Sequence, residues 1–175
     1  DEQPGPKKTA PPAARASAAA TPVAPGRRVQ PHLPGGMVAD TAQGFDSMVR
    51  TPGVGLIVDG YNASMLAWPD ASAAEQRERL GAALGELHLR TRCPITVVFD
   101  GADVGGVVPT RRPGVRTIFS PAADEADTII IKELTVLPKT VPIVVASTDA
   151  WVREHAQHEG AAVVSARTLL DSLGR

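Results

Sequence analysis

The sequence has little of several features that mark common classes of protein. It contains a single cysteine, Cys93, in 175 residues, which excludes an intramolecular disulfide and fits a reducing compartment. No apolar run approaches the length of a membrane-spanning helix, and the N-terminal part lacks the apolar core of a signal peptide. We therefore expect a cytoplasmic protein that does not contact a membrane.

Motifs of several enzyme classes are also missing. Neither a G-x-G-x-x-G nor a Walker phosphate loop is present, which argues against an enzyme with a nucleotide cofactor. No Ser-His-Asp or Cys-His arrangement is evident. His155 and His158 have a spacing compatible with one helix face, but no Cys or further His lies nearby, so a zinc site is not expected. The net charge of -1 gives no overall basic character, although an acidic pocket would mask local basic patches in that sum.

The first 49 residues have the composition of an unfolded segment. They contain many of the prolines, a long run of Ala, Pro, Thr, Ser and Arg, and Phe45 as their only aromatic residue. Such a segment buries too little apolar surface to offset its ordering entropy. We predict a disordered linker over residues 1–49, with at most a short helix near residues 45–49, and one domain over residues 50–175. Because the chain begins with Asp rather than Met, we expect it to be a fragment of a longer protein.

The remaining residues alternate between strand and helix patterns. Continuous apolar runs predict strands that are covered on both faces, and a Ser72-Ala73-Ala74-Glu75 capping box followed by leucines at helical spacing predicts a helix. The predicted strands are 54–58, 94–99, 115–119, 141–146 and 162–164, and the predicted helices are 72–90, 124–137, 149–159 and 165–173. This order predicts an α/β fold with a mostly parallel sheet and helices on both faces.

Acidic residues follow the predicted strands. The first strand ends in Asp59, the second in Asp100 and the fourth in Asp149, while Asp124, Glu125 and Asp127 open a helix. Ligands of open α/β sheets bind outside the carboxyl ends of the strands, and like charges grouped there repel unless a cation neutralises them. The pattern therefore predicts a site for a hard divalent cation.

All of these acids except Asp100 also have a purely structural interpretation. Asp59, which precedes a glycine, is compatible with a turn residue. Asp149 and Asp124 are compatible with helix caps. Glu125 and Asp127 favour a helix N-terminus through its dipole. We prefer the cation site because all of these acids are expected at the same edge of one sheet.

Several neighbouring residues are candidates for contacts with a ligand. Asn62 is either a neutral ligand or water-positioning amide, or a turn residue. Trp68 either stacks on a base or packs beside the Ser72 cap. Arg77 is placed to reach a phosphate. Arg111 and Arg112 form a basic pair that suits phosphate contacts, with a solvated loop tip as an equal alternative.

The motifs together resemble those of a known family. They are Asp59-Gly60-Tyr61-Asn62, Phe99-Asp100-Gly101, Glu125-Ala126-Asp127 and Ser147-Thr148-Asp149. Their order and separations resemble those of a YacP-like NYN domain, within the PIN-like nuclease group, and the resemblance covers residues 54–173. It implies a Rossmann-like three-layer α/β/α fold of the PIN-like type. It also implies a metal-dependent ribonuclease.

The resemblance implies roles for particular residues. Asp59, Asp100, Asp127 and Asp149 are expected to be the catalytic and metal-binding acids, with Asn62 as a polar catalytic residue. Glu125 is expected to be an accessory acid, and Asp124 is an additional acid at a variable position, so the choice among Asp124, Glu125 and Asp127 stays open. Carboxylate ligands without sulfur favour Mg²⁺ or Mn²⁺ over zinc, and such ions can serve phosphodiester hydrolysis.

We therefore expect an endoribonuclease that hydrolyses phosphodiester bonds of single-stranded RNA, because a cleft with acids at its floor requires an unpaired, flexible strand. Messenger RNA and ribosome-associated RNA are candidate partners, and the oligomeric state stays open. The basic residues of the first 49 are interpreted as a solvated tail, with RNA contact as the alternative; they are Lys7, Lys8, Arg15, Arg27 and Arg28.

Two alternatives of other classes are kept. A catalytically inactive RNA-binding or scaffold module would have the same fold and the same acids. A receiver-type phosphoacceptor domain also groups aspartates around Mg²⁺ at strand ends. That class requires paired acids after the first strand and a lysine after the last, whereas Asp59 stands alone and no lysine follows Lys139.

Overall fold

A computed structural model describes residues 27–101, 110–121 and 123–175 of the chain. Expectations for residues 1–26, including Lys7, Lys8 and Arg15, lie outside these ranges, as do those for the loop residues 102–109. The strands are β1 (Gly55–Asp59), β2 (Ile95–Phe99), β3 (Val115–Phe119), β4 (Ile143–Ala146) and β5 (Ala162–Val164). The helices are α1 (Ala42–Val49), α2 (Gly60–Ala67), α3 (Ala73–Thr91), α4 (Ala126–Val136), α5 (Ala150–His158) and α6 (Ala166–Ser172).

The strands form one parallel sheet in the order β3-β2-β1-β4-β5. Because alternate residues of a strand point to opposite faces, each strand contributes to two cores. Leu56 and Val58 pack with helix residues such as Leu84 on one face, whereas Ile57 packs with Ile130 and other residues of α4 and α5 on the opposite face. The predicted three-layer α/β/α architecture is confirmed.

Local signals explain where α3 begins and ends. The Ser72 hydroxyl accepts a hydrogen bond from the Glu75 amide at 3.3 Å, and the Glu75 carboxylate accepts one from the Ser72 amide at 2.9 Å. This is the predicted capping box. The helix ends at Thr91, and the C-cap residue Arg92 has a left-handed backbone with φ of 61°. The strand β2 follows after only a short connection.

Helix α2 is not among the elements that the sequence predicts, and turn interpretations apply to Asp59 and Asn62 instead. The segment begins with glycine and contains asparagine and serine, which are weak helix formers, and it has no clear apolar stripe. The helix begins directly at the end of β1, where the Asp59 carboxylate accepts a hydrogen bond from the Asn62 amide at 3.4 Å. Gly60 permits this sharp transition, since a Cβ there would collide with the Phe99 ring and lie 2.7 Å from the Val98 carbonyl oxygen.

The expected linker is wrong for residues 27–49, which we call the N-terminal segment. Its helix α1 packs against α6, with Phe45, Met48 and Val49 fully buried in the core. These residues are spaced i, i+3 and i+4, so even a short helix presents one apolar face. The boundary predicted at residue 50 therefore cuts through a packed part of the domain.

Arg28 ties the other end of the N-terminal segment to the domain. The sequence suggested a solvated side chain, yet Arg28 is only 2% exposed. Its guanidinium donates hydrogen bonds of 2.8–3.3 Å to four backbone carbonyls at the end of α4 and the turn after it. These carbonyls belong to Leu134, Leu137, Pro138 and Val141. A cation suits the C-terminus of a helix, and this tertiary role leaves no sequence pattern.

Candidate active site

The candidate site lies at the carboxyl ends of the central strands. Strand β1 lies at the middle of the sheet, between β2 and β4. The chain proceeds from β1 to β2 and β3, and then passes through α4 to β4 on the other side of β1. The chain after β1 and the chain after β4 therefore lead to helices on opposite faces of the sheet. A crevice opens between them at the carboxyl ends of the two strands. Asp59 lies at the carboxyl end of β1, and Asp149 follows β4 after a short connection.

Asp59 is the most buried carboxyl group at this edge, with 6% of its surface exposed. The Ser147 hydroxyl donates a hydrogen bond of 2.8 Å to its Oδ2 atom. Burial raises the pKa of Asp59 to about 6, and the nearby charges of Asp127 and Asp149 add to the rise. The hydrogen bonds from Ser147 and the Asn62 amide oppose it. The protein therefore keeps an acid in a place where its negative charge is unfavourable.

Asp127 interacts electrostatically with acids of several elements. It lies in the first turn of α4. Its pKa is raised, first by burial and then by the charges of Asp149, Glu125 and Asp100. Because Asp127 also acts on Asp59, five carboxyl groups lie within electrostatic reach of one another through it. We call these residues the acidic cluster, and its members are Asp59, Asp100, Glu125, Asp127 and Asp149.

The loop after β4 holds one side of the acidic cluster. Asp149 caps α5, since its Oδ1 atom accepts a hydrogen bond from the Val152 amide at 3.0 Å, so the structural interpretation of this residue also holds. The Asp149 amide donates to the Ser147 hydroxyl at 3.1 Å. The Thr148 amide donates to the Asn62 side-chain oxygen at 2.8 Å, which joins α2 to the loop after β4.

Ser147 and Ser120 contact the acids of the cluster, a role that their sequence positions do not indicate. Ser147 is fully buried and its hydroxyl bridges Asp59 and Asp149. Ser120 follows β3, and its hydroxyl donates to Asp100 at 3.4 Å while accepting from the Gly101 amide at 3.1 Å. A serine directly after a predicted strand was the available signal, but its partners on neighbouring strands become visible only in three dimensions.

The structure separates the three acids at the start of α4. Asp124 forms an ion pair with Lys132 at 3.1 Å and is not among the charges that raise the pKa of Asp59 or Asp127. Glu125 is the N-cap residue of α4, but its side chain makes no capping hydrogen bond. Asp127 and Glu125 are thus better placed than Asp124 to act together with the acids at the strand ends.

The acidic cluster does not form a ready-made metal cage. Within residues 27–101, 110–121 and 123–175, no three Asp, Glu, His or Cys side chains are grouped so that they could hold a metal ion. Two of the carboxylates are instead occupied with hydrogen bonds, Asp59 with Ser147 and Asp149 with Val152. The donor set still fits Mg²⁺ or Mn²⁺, because such ions are held by one or two carboxylates and complete their shell with waters and substrate phosphate oxygens.

The predicted substrate-binding residues are mostly engaged in protein contacts, and Arg111 and Arg112 lie just before β3, toward the amino ends of the strands. Arg77 donates to the Tyr61 hydroxyl at 2.6 Å and lies over the Phe119 ring. Arg112 pairs with Glu78, and Arg111 is exposed.

Trp68 is half-buried against the core, which favours the packing interpretation over base stacking. Arg77, Arg112 and the rings of Phe99 and Phe119 line a cavity of about 100 Å³.

Comparisons with known proteins show the family to which the chain belongs. Residues 56–175 match the family described as the YacP-like NYN domain, and the chain belongs to that family. The crystal structure of Rae1 (YacP) from Bacillus subtilis is 31% identical, with a TM-score of 0.59, over 69% of this chain and 73% of that chain. A tryptophan-to-leucine mutant of the same Bacillus subtilis protein is 30% identical, with a TM-score of 0.58, over 69% and 74% of the two chains. No curated protein matches the chain in sequence.

Family membership supports a nuclease-type domain with an RNA-related function. The match begins at residue 56, so the N-terminal segment precedes it. In the part of the chain that the structure describes, no helix is both long enough and apolar enough to cross a membrane.

Proposed function

We propose that this protein is a metal-dependent endoribonuclease that hydrolyses phosphodiester bonds of single-stranded RNA. The observation that carries the proposal is the unfavourable charge at the acidic cluster. Asp59, Asp127 and Asp149 form no salt bridge with any described Lys, Arg or His, although their charges repel one another. Asp59 is buried, and buried charges are normally paired or coordinate a metal, so this arrangement favours a cation as the partner.

The residues have separate tasks in this proposal. Asp59, Asp127 and Asp149 are the principal candidates to hold Mg²⁺ or Mn²⁺, with Asp100 and Glu125 beside them. A bound ion would neutralise charge on the phosphate and lower the pKa of a nucleophilic water. Ser147 orients Asp59 through its hydrogen bond. We assign Asn62 a positioning role, because its side-chain oxygen already accepts from the Thr148 amide.

The substrate is proposed to be single-stranded RNA, because a flexible strand can bend into the crevice. Arg77 donates to Tyr61 on α2, the helix that Asp59 caps, and Arg111 is exposed, so both are candidates for phosphate contacts, while Arg112 is held by Glu78. Messenger RNA and ribosome-associated RNA remain candidate targets. The receiver-type alternative loses its basis, because the chain belongs to the YacP-like NYN family.

A cleavage assay with matched variants tests the proposed activity. Purified protein is incubated with end-labelled single-stranded RNA, and with the same sequence as a duplex, in Mg²⁺, in Mn²⁺ and in EDTA. We expect internal cleavage of the single strand only, and only with a metal ion. Asp127→Asn should lower the rate by roughly two orders of magnitude or more, because a charge that stabilises the reacting phosphate through the ion is removed.

The control for that assay is Asp171→Asn. Asp171 pairs with Arg167 on the surface of α6 at 3.0 Å, so its replacement removes a carboxylate outside the acidic cluster and should leave the rate unchanged. Cleavage that persists in EDTA, or that survives in Asp127→Asn, would contradict the proposal. RNA binding without any cleavage by the wild-type protein would indicate the inactive RNA-binding module instead.

A further inference from the structure

We propose that Asp40 of the N-terminal segment and Arg153 of α5 form a positioning pair that keeps the loop after β4 in its active arrangement. The inference rests on the proposed function, since it concerns the same acidic cluster. It adds a residue that lies before the family match, which begins at residue 56. Neither Asp40 nor Arg153 is in the acidic cluster, and neither is proposed to contact the metal ion or RNA.

Asp40 contacts three residues of two helices with one carboxylate. Its Oδ1 atom accepts hydrogen bonds from the Ser165 amide at 2.7 Å and from the Thr168 hydroxyl at 2.6 Å, both at the start of α6. Its Oδ2 atom accepts from Nη2 of Arg153 at 3.3 Å. Asp40 lies just before α1, whose buried face fixes its position.

Arg153 transmits this contact to the acidic cluster. While Nη2 bonds to Asp40, Nη1 donates to the Ser147 backbone carbonyl at 3.1 Å. The hydroxyl of the same Ser147 donates to Asp59 at 2.8 Å and accepts from the Asp149 amide at 3.1 Å. An unbroken path of hydrogen bonds therefore leads from Asp40 to two acids of the cluster.

A second path leads to the same loop through α6. Asp40 holds the Ser165 amide, and the next amide, of Ala166, donates to the Thr148 hydroxyl at 3.1 Å. The Thr148 amide in turn bonds to Asn62 on α2. Ser147 and Thr148 are thus held from two directions, and Asp40 takes part in both.

The charge of Asp40 has a further effect on Arg153. Asp149 and Arg153 are four residues apart at the start of α5, a spacing at which side chains on a helix meet. A guanidinium released from Asp40 can turn to Asp149 and form an ion pair that competes with a metal ion. Because Asp40 pairs with Arg153, Arg153 does not compete for the Asp149 carboxylate, which stays available to the acidic cluster.

Asp40→Asn in the full chain separates positioning from folding. Asparagine can still accept hydrogen bonds from Ser165 and Thr168, but it has no charge for Arg153. Residues that support a metal site in this indirect way change metal affinity or activity by about 10–100-fold when replaced. We expect the Mn²⁺ concentration for half-maximal cleavage to rise about 10-fold, with the KM for RNA unchanged. Arg153→Gln should have a similar effect, and the double variant should be no worse than the single variants.

The matched control is Asp46→Asn, which breaks another carboxylate–arginine pair of the N-terminal segment, with Arg50 at 2.6 Å. It should leave the Mn²⁺ dependence unchanged. A second readout needs no activity: amide hydrogen exchange in the metal-free proteins. Asp40→Asn and Arg153→Gln should accelerate exchange at Thr148 and Asp149, whose amides bond to Asn62 and Ser147, and leave the amides of β2 unchanged.

The two readouts distinguish the possible failures. If the wild-type protein does not cleave RNA but the local exchange changes as expected, the proposed function fails and the positioning role stands. If Asp40→Asn has wild-type Mn²⁺ dependence and wild-type exchange at Thr148 and Asp149, the positioning role is overturned. Acceleration of exchange throughout the sheet to the same degree would also overturn it, because that result indicates a role in overall stability alone.

Discussion

Asp59→Asn is expected to make the metal-free protein more stable at neutral pH while abolishing RNA cleavage. The pKa of Asp59 is raised from 3.8 to about 6 in the folded protein, mainly by burial. At pH 7.5 the folded state therefore carries an unfavourable charge, which destabilises it by up to about 3 kcal/mol. Asparagine removes that charge and retains an oxygen for the Ser147 hydroxyl. We expect a melting temperature roughly 3–8 °C higher in EDTA.

The pH dependence provides a sharper test of Asp59→Asn. A carboxyl group whose pKa is higher in the folded state than in the unfolded state contributes to stability at low pH, where it is protonated in both states. This contribution is lost as the pH rises through the folded-state pKa. The gain in stability of Asp59→Asn over the wild-type protein should therefore be largest above pH 6. It should have mostly disappeared near the unfolded-state pKa of about 4. Thermal unfolding followed by circular dichroism between these limits measures it.

Two comparisons control the Asp59→Asn experiment. Asp171→Asn, on the surface of α6, should show no such pH-dependent gain. Mn²⁺ should raise the melting temperature of the wild-type protein at pH 7.5, since a ligand of the folded state stabilises it, but should have little effect on Asp59→Asn. A variant that melts well below the wild-type protein at every pH would show that Asp59 is a structural cap for α2.

Removal of residues 1–49 is expected to unfold the domain or make it insoluble. The fragment loses the buried side chains of Phe45, Met48 and Val49, each worth roughly 1.5–3 kcal/mol, together with the four carbonyl contacts of Arg28. The sum is comparable to the whole stability of a typical domain, about 5–15 kcal/mol. A fragment that begins at residue 27 keeps these contacts and should melt within about 2 °C of the full chain.

A single replacement confirms the cause of that loss. Phe45→Ala in the full chain should lower the free energy of unfolding by about 3–5 kcal/mol, as measured by urea denaturation. Asp46→Asn, which changes an exposed neighbour on the same helix, should lower it by less than about 1 kcal/mol. A soluble fragment 50–175 with the melting temperature of the full chain would contradict the packing of α1 and restore the linker interpretation.

The sheet was predictable because its strands carry the pattern that burial demands. Runs such as Ile143-Val144-Val145-Ala146 are covered on both faces, and only a parallel sheet with helices on each side accommodates several of them. Helix α3 carried an explicit start signal in Ser72 and Glu75. In contrast, α2 has eight residues and no apolar stripe. It depends on the end of β1, on Asp59 and on packing against Phe99, none of which a local pattern reports.

The candidate site was likewise predictable only in part from the sequence. Acids at strand ends could be predicted to lie at one edge, because parallel strands end together. The hydroxyls of Ser147 and Ser120 and the carboxylate of Asp40 act across elements that are distant in sequence, and Asp40 reaches Ser165 over 125 positions. Arg28 likewise resembles a tail residue until its carbonyl partners near the end of α4 are known. Tertiary partners of this kind have no signature within a single segment.

The central claim is that the acidic cluster binds a divalent cation, and anomalous diffraction from crystals soaked in Mn²⁺ tests it most directly. A bound Mn²⁺ should give a strong anomalous peak at the carboxyl ends of β1 and β4, within about 2.3 Å of a carboxylate oxygen of Asp59, Asp127 or Asp149. The same peak should be absent from crystals of Asp127→Asn. A Mn²⁺-soaked wild-type crystal with no peak at this edge, or with Mn²⁺ bound only elsewhere, would contradict a metal site in the acidic cluster.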